Sequence, residues 1–208
     1  MTATDNGSNT TLICEFFPTI STNGTTFGAA AGSARTVWGF QLEAGAYATS
    51  YIPTTTASVT RNADSCSKST ATALIGQTEG VVFFDLNISD NREHYTYLWV
   101  RGTTSNVIGF LLSSTYIQAQ IFNGGVSQAG IFYNNSSAGR FKIALAYKAN
   151  DIAYYVNGAL VGTDTSATIP ATDLIEFYYN SLNNVKINSA ALWKTRLQNS
   201  ELATLTSL

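Results

Sequence analysis

The sequence predicts an all-β protein made of two facing antiparallel sheets. Short stretches of alternating apolar and polar residues recur through the last two thirds of the chain. Asn-Gly pairs and other turn signals separate these stretches at short intervals, and only one short helix is indicated, near the C-terminus. Alternation gives each strand one apolar face, and a sheet with one apolar face needs a second layer to cover it.

The segment 140–164 provides the clearest evidence for this fold class. Apolar side chains occupy alternate positions from Phe141 to Tyr147, and the pattern resumes over 152–156. Between them, residues 148–151 form a polar turn in which Asn and Asp can bond their own backbone. Asn157-Gly158 then predicts a tight turn, because type I′ geometry needs positive φ at both central positions. Two consecutive hairpins therefore form an antiparallel meander.

The remaining elements follow the same alternation in chain order. Strands before the main domain are predicted at 12–17, 37–43 and 47–52. Within the main domain they are predicted at 80–88, 94–101, 106–112, 116–122, 129–133, 173–179 and 185–193. The one predicted helix is short: residues 199–200 form its cap and residues 201–205 follow as the helix.

Four stretches carry a family resemblance, namely 142–148, 155–158, 191–197 and 201–206. They resemble the laminin-G/concanavalin-A-like lectin domains of phage tail and virion fibre proteins, which implies a jelly-roll sandwich. Further upstream, 37–53 resembles the end of a carbohydrate-binding-module-like jelly roll, whose eight strands need more chain than is present there.

The resemblance divides the chain into three parts. Residues 1–62 are interpreted as strands from the end of a preceding jelly-roll-like domain, and residues 74–208 as the laminin-G-like β-sandwich. The Thr/Ser/Ala-rich residues 63–73 between them are interpreted as a linker or an extended edge segment.

Composition excludes several classes of partner. Charged residues make up 12% of the chain against about 25% in typical domains, and the net charge is −2. Nucleic-acid binding needs a basic face, and Lys and Arg form no cluster in this sequence. No secretory signal follows Met1, and no apolar run reaches the roughly 20 residues of a membrane span. Cys14 and Cys66, the only cysteines, are interpreted as reduced thiols, with a bridge between them as the alternative.

The sequence does not predict an enzyme. Most glycosidases need two carboxylates facing each other across the scissile bond, and no strand carries closely spaced acids. The nearest acidic pair, Asp90 and Glu93, lies in a predicted turn, where solvated turn residues explain it. His94 is the only histidine, and no acid is placed beside it with which it could form a catalytic pair.

No cofactor is predicted, and calcium is the one alternative. The resemblance suggests it, because laminin-G-like domains sometimes hold calcium at the rim of the sandwich. Asn87, Asp90 and Asn91 could supply hard oxygen ligands there, with Asp164 and Asp173 as further candidates. Turn formation explains the same residues without a metal, and no calcium-loop spacing is present.

A binding surface is predicted on alternate strand positions. Lectin sites pair aromatic platforms with amide and hydroxyl groups. The stripe Tyr95, Tyr97 and Trp99 lies opposite Leu98 and Val100 on one strand, so one of these two sets is core and the other faces outward. The predicted ligand-binding residues are Tyr95, Tyr97, Trp99, Tyr116, Gln118 and Tyr155.

Together these features predict a non-catalytic glycan-binding module. The resemblance implies a location on the exposed surface of a phage tail or capsid fibre, with carbohydrate or glycoconjugate on the host or in its surroundings as ligand. Weak single sites would be compensated by multivalent display in a homo-oligomer, such as a trimer, or with other virion subunits. The alternative is a purely structural fibre or oligomerisation module, and a glycan-degrading enzyme is the third possibility.

Overall fold

The computed structural model describes residue 41 and residues 51–54, 56–60, 65–88, 95–178 and 185–208. The chain divides between Arg61 and Asn62 into two units, and every strand and helix described belongs to the second. The strands predicted before residue 62 lie almost entirely outside the described residues, so the preceding domain stays a prediction. Cys14 also lies outside them, while Cys66 is exposed. No helix among the described residues is long and apolar enough to cross a membrane.

The described residues form two antiparallel sheets, as predicted. The strands are β1 (Ser65–Lys68), β2 (Glu79–Ile88), β3 (Thr96–Arg101), β4 (Val107–Leu112), β5 (Tyr116–Asn123), β6 (Val126–Asn134), β7 (Gly139–Lys148), β8 (Ile152–Val156), β9 (Ala159–Asp164), β10 (Leu174–Tyr178) and β11 (Val185–Trp193). One sheet has six strands in the order β1-β10-β3-β4-β5-β6, and the other has five in the order β11-β2-β7-β8-β9. A 3₁₀ turn (Thr72–Leu74) and the helix α1 (Asn199–Thr206) complete the fold.

The main core lies between the two sheets and decides which face of each strand is inward. Phe84 of β2 packs edge-to-face on Phe110 of β4 and Phe177 of β10, with ring centroids 6.0 and 5.0 Å apart. Leu98 and Val100 of β3 are completely buried in the same core. Because side chains alternate along a strand, the aromatic residues between them face away from the core. The open question about the β3 stripe is therefore resolved in favour of an outward stripe.

Helix α1 covers part of the outer face of the five-stranded sheet. Its Leu202 is fully buried against Val81, Phe83 and Tyr155 in a second, smaller apolar cluster. A capping box starts the helix, in which the Gln198 backbone N–H donates to the Glu201 carboxylate at 2.7 Å. This cluster uses the strand face opposite the main core, so the five-stranded sheet is apolar on both sides there.

The sequence prediction for Tyr155 is wrong. Tyr155 does lie on the face opposite Tyr154 and Val156, as expected from alternation, but only 6% of it is exposed because α1 packs over that face. Alternation shows which residues share a face and gives no information on whether another element covers it. Tyr155 is therefore a core residue of the second cluster.

The sandwich includes part of the predicted linker 63–73. Strand β1 pairs antiparallel with β10 at the edge of the six-stranded sheet. Ala71 is completely buried, and its N–H donates to the Asp173 carbonyl at 2.6 Å. These residues correct the linker interpretation and match its alternative, an extended edge segment. The boundary at residue 62 stays a prediction.

Candidate functional site

Three aromatic side chains form a continuous stripe along β3 on the outer face of the six-stranded sheet. Tyr95 is 52% exposed, and Tyr97 and Trp99 are half-buried. Ring centroids lie 6.3 Å apart for Tyr95 and Tyr97 and 4.4 Å apart for Tyr97 and Trp99. Rings at these separations contact one another, so the stripe presents a connected apolar surface.

A second aromatic pair lies across the same sheet. Tyr116 of β5 and Phe132 of β6 pack edge-to-face with centroids 5.1 Å apart, and Phe132 is 50% exposed. Tyr116 lies close to the side chains of Tyr95 and Tyr97, which places this pair beside the stripe. Burial, and then the neighbouring Tyr95, raise the pKa of Tyr116, so its hydroxyl stays protonated at neutral pH. We call these five residues the aromatic face: Tyr95, Tyr97, Trp99, Tyr116 and Phe132.

Strand register places two amides between the aromatic groups. One row across the sheet runs Tyr97, Leu111, Gln118 and Phe132, one residue from each of β3 to β6. Three strand spacings separate its ends, or about 14 Å, which is wider than a single pyranose ring. Gln118 is half-buried between the rings, where its amide can reach a ligand lying on them.

The next row places a glycine beside Trp99. It runs Trp99, Gly109, Gln120 and Gly130, so no side chain stands between the indole and the Gln120 amide. Gly109 has φ +155°, and a Cβ on it would lie 2.2 Å from the Leu98 carbonyl oxygen. The close approach of β3 and β4 therefore requires glycine here. Gln120 is only 5% exposed, although it lies on the outward side of β5.

One ion pair borders the aromatic face. Arg101 of β3 donates from Nε to the carboxylate of Glu176 on the adjacent strand β10, and both side chains are largely buried. Glu176 is also the direct cross-strand neighbour of Trp99. Within the six strands, Glu176 is the only carboxylate, and Lys68 and Arg101 are the only cations.

The indole of Trp99 has an unused donor. Its Nε1 is buried and has no hydrogen-bond partner in the part of the chain that the structure describes. A buried N–H without an acceptor costs roughly 1–3 kcal/mol. Among the buried polar side-chain atoms of the aromatic face, this donor is the one without a partner in the described structure.

Among the predicted calcium ligands, Asn87, Asp164 and Asp173 belong to the described residues. Asn87 is exposed on β2, in the five-stranded sheet, whereas Asp90 and Asn91 lie outside the described residues. Asp164 accepts from the Ser166 N–H and hydroxyl at 2.8 and 3.0 Å, which is a turn role. The described residues contain no group of three or more His, Cys, Asp or Glu side chains that could hold a metal. Calcium binding stays a prediction.

A polar cluster on the five-stranded sheet is accounted for by its own internal bonds. Asp85 is buried and accepts two hydrogen bonds from Arg140, at 3.0 and 2.6 Å, and one from Asn188 at 3.0 Å. The Arg140 hydrogen bond, opposed by burial and aided by Asn188, lowers the pKa of Asp85 to about 2. Its acceptor capacity is used within the cluster, so we assign it a stabilising role.

The structure thus places five of the six predicted ligand-binding residues on one surface. Tyr95, Tyr97, Trp99, Tyr116 and Gln118 share the outer face of the six-stranded sheet, and Tyr155 belongs to the other sheet.

Sequence reasoning missed Phe132, although the alternation of Ala129, Ile131 and Tyr133 could have placed it outward. It also missed the pair Arg101 and Glu176, which depends on a register between residues 75 positions apart.

No family model and no curated protein match this chain. Solved structures do. The Ruminococcus gnavus IT-sialidase CBM40 matches with TM-score 0.53 and 14% identity over 66% of this chain and 86% of that domain, as does the same domain bound to α2,3-sialyllactose. The botulinum neurotoxin type G receptor-binding domain matches with TM-score 0.52 and 12% identity over 62% of this chain.

A third structure, from a study of botulinum neurotoxin type C and two ganglioside molecules, matches with TM-score 0.51 and 13% identity over 62% of this chain. The chain spans 38% and 35% of the two neurotoxin structures. At these identities the likeness concerns the fold. The second unit of this chain has a lectin-like jelly-roll β-sandwich fold, with two antiparallel sheets and one C-terminal helix.

Proposed function

We propose that this chain is a non-catalytic carbohydrate-binding module and that the aromatic face holds the glycan. The observation that carries the proposal is the connected set of five rings on a sheet face that no described element covers. Helix α1 covers part of the equivalent face of the other sheet, whereas no described element covers this face of the six-stranded sheet.

The chemistry of the face suits sugars. A pyranose ring presents C–H groups on its faces and hydroxyls at its edge, so aromatic rings take the first and amides the second. Tyr97 and Trp99 form the platform, and Gln118 lies two strands from Tyr97 in the same row, beyond Leu111. Such contacts are partly solvated, so each site would bind weakly, and display in several copies would raise the avidity.

The structural neighbours support the proposal by precedent. The sialidase CBM40 domain binds α2,3-sialyllactose, and cell entry by botulinum neurotoxin type C depends on interaction with two ganglioside molecules. A sandwich of this class can therefore carry glycan sites. The location of the site on the aromatic face is argued from this chain's own residues.

The non-catalytic part of the proposal rests on the acids available. Glycoside hydrolysis usually needs two carboxylates a few Å apart across the bond that breaks. The six strands beneath the aromatic face contain one, Glu176, and Arg101 holds it in an ion pair. A glycan on this face would be bound and released intact.

We further propose that the chain belongs to the exposed surface of a phage tail or capsid fibre, as a homo-oligomer such as a trimer or with other virion subunits. This part is supported by the resemblance of residues 142–158 and 191–206 to virion fibre domains. Immunogold electron microscopy of purified phage with antibodies against this chain tests it. Gold on tails or fibres is the expected result, and gold absent from virions overturns the assignment.

A glycan array tests the binding function, with wild type, Tyr97→Ala and Leu160→Ala compared at equal folded concentration. Leu160 lies on β9 in the other sheet and is 49% exposed. Leu160→Ala is therefore the control variant, because it removes exposed apolar surface away from the aromatic face. The proposal expects wild type and Leu160→Ala to bind equally and Tyr97→Ala to bind about fivefold more weakly. Equal binding by all three variants would place the site elsewhere.

A structural role is the second candidate, favoured by the exposure of apolar side chains near one edge of the same sheet. Phe132 and Val126 on β6 are half or more exposed, and an assembly contact would cover them. If this is the main role, no glycan binds, and Phe132→Ser lowers the mass of the assembly in analytical ultracentrifugation. Glycan binding by a variant that no longer assembles would exclude it as the only role.

A further inference from the structure

We infer that the aromatic face selects uncharged sugars and discriminates against sialylated or otherwise acidic ones. The inference rests on the proposed glycan-binding function and specifies its ligand class. It follows from the charge arrangement around Trp99, from the hydrogen-bonding character of the Gln118 amide, and from the position of Lys68.

The only arginine of the six-stranded sheet already has a carboxylate partner. Arg101 donates to Glu176, and both side chains are largely buried. Arginine is the residue best suited to an acidic sugar, because its planar fork matches a carboxylate. In this chain Arg101 is already paired with the protein's own Glu176 carboxylate, so the ion pair presents little net charge to a ligand.

Glu176 also lies next to the position at which a sugar would stack on Trp99. It is the direct cross-strand neighbour of Trp99, so one strand spacing, about 4.8 Å, separates their backbones. A carboxylated ring stacked on the indole would lose water from its charge without gaining a free cation as partner, because Glu176 already neutralises Arg101. A neutral ring in the same place carries no charge to desolvate.

Lys68 does not offset this arrangement. It pairs with Ile175 across β1 and β10, whereas Glu176 pairs with Ser67. Ile175 packs against the main core, so alternation places its cross-strand partner Lys68 on the opposite side of the sheet from Glu176. The described cations of the sheet thus leave no free positive charge on the aromatic face.

The hydrogen-bonding groups on the face match hydroxyls better than carboxylates. The amide of Gln118 carries both a donor and an acceptor, as a hydroxyl does, whereas an ionised carboxylate only accepts. A neutral sugar can satisfy the donor and the acceptor of this amide at once.

An array of matched neutral and sialylated glycans, with lactose and α2,3-sialyllactose as one pair, tests the inference on the full chain. Wild type should bind the neutral member at least about tenfold more tightly. Glu176→Gln keeps a hydrogen-bond acceptor for Arg101 but leaves the positive charge of Arg101 without a carboxylate partner. The preference for the neutral glycan should therefore narrow by about threefold or more. Asp85→Asn removes the same charge on the other sheet and should leave the preference unchanged.

Each outcome separates the inference from the function on which it rests. A wild-type preference for the sialylated member overturns the charge selectivity while glycan binding stands. Equal narrowing in Glu176→Gln and Asp85→Asn also overturns it, because the effect would then come from overall net charge. Binding to neither member overturns the proposed function and the inference together.

A second measurement covers the case in which Glu176→Gln does not fold. Neutral-glycan affinity of wild type should change by less than about twofold between low salt and 0.5 M NaCl, because no ligand charge is screened. A steep loss of affinity with salt would mean that an ionic contact holds the ligand, which contradicts the inference.

Discussion

Two tyrosines that the sequence places in the same class should respond oppositely to truncation. Tyr97 and Tyr155 both alternate with core residues and were both predicted to bind ligand. The structure places Tyr97 on the uncovered aromatic face and Tyr155 beneath helix α1, against Phe83 and Leu202. We therefore expect Tyr155→Ala to reduce stability and Tyr97→Ala to reduce binding.

The magnitudes follow from burial and contacts. Tyr155 is 6% exposed, so removing its ring leaves a cavity and should cost about 3 kcal/mol, near the lower end for buried aromatic residues. For a domain of this size that corresponds to a fall in Tm of roughly 9 °C. Tyr97 is half-buried at the surface, and its truncation should cost less than about 1 kcal/mol of stability. Losing its ring from the platform should weaken glycan binding by about 1 kcal/mol, or roughly fivefold in Kd.

Urea unfolding followed by circular dichroism gives the stability changes, and isothermal titration of an array-identified glycan gives Kd. Kd is measured well below the midpoint of each variant, so that only folded protein is titrated. If Tyr155→Ala unfolds like wild type while Tyr97→Ala loses several kcal/mol, the assignment of the two faces is wrong. If Tyr155→Ala abolishes binding at full folded occupancy, Tyr155 contacts the ligand and helix α1 does not cover it as described.

Three further predictions concern stability. Gly109→Ala should lower the free energy of unfolding by more than about 2 kcal/mol, because its Cβ would meet the Leu98 carbonyl and its φ is +155°; unchanged urea midpoints would contradict this. Asn157→Ala should lower the free energy of unfolding by about 1–2 kcal/mol, because Asn157 has φ +48° and its Oδ1 accepts from the Lys142 N–H at 2.8 Å. Asn157→Gly should recover part of this loss, since glycine adopts positive φ without strain. Equal losses in the two variants would refute a role for the turn conformation. Asp85 has a pKa of about 2 in the folded protein, below its usual value of 3.8, so its stabilisation is complete above pH 3.8 and is lost as pH falls toward 2. The stability of Asp85→Asn should therefore fall less than that of wild type over this range, and parallel pH profiles in urea titrations would contradict the assignment.

The fold was predictable from sequence because alternation and turn chemistry are local. The pattern from Phe141 to Val156 and the Asn157-Gly158 turn specify a meander, and the structure has β7, β8 and β9 there. The same pattern separated Leu98 and Val100 from Tyr97 and Trp99. It could not tell which set is core, since both sets are apolar, and only the contacts of the facing sheet decide that.

The site was less predictable because it depends on contacts between distant segments. The covering of Tyr155 requires α1, which lies more than 40 residues later in the chain. The ion pair of Arg101 and Glu176 requires the β3–β10 register, which no local pattern encodes. Five predicted residues nevertheless share one face, because β3 and β5 are separated only by β4 and each follows strict alternation.

The difference between the two outer faces gives the account its central claim. The five-stranded sheet buries Val81, Phe83 and Ala153 under α1, while the six-stranded sheet leaves its rings uncovered by any described element. A sheet face rich in exposed aromatic residues is a typical interaction surface. We assign that interaction to glycans because amides lie among the rings.

Mapping the bound glycan by NMR tests this claim most directly. Backbone amide shifts of the full chain would be recorded while an array-identified neutral glycan is added to saturation. The account predicts that the largest changes fall on β3, β5 and β6, around Tyr97, Trp99 and Gln118. Changes centred on β8, β9 and α1, with β3 and β5 unaffected, would contradict it.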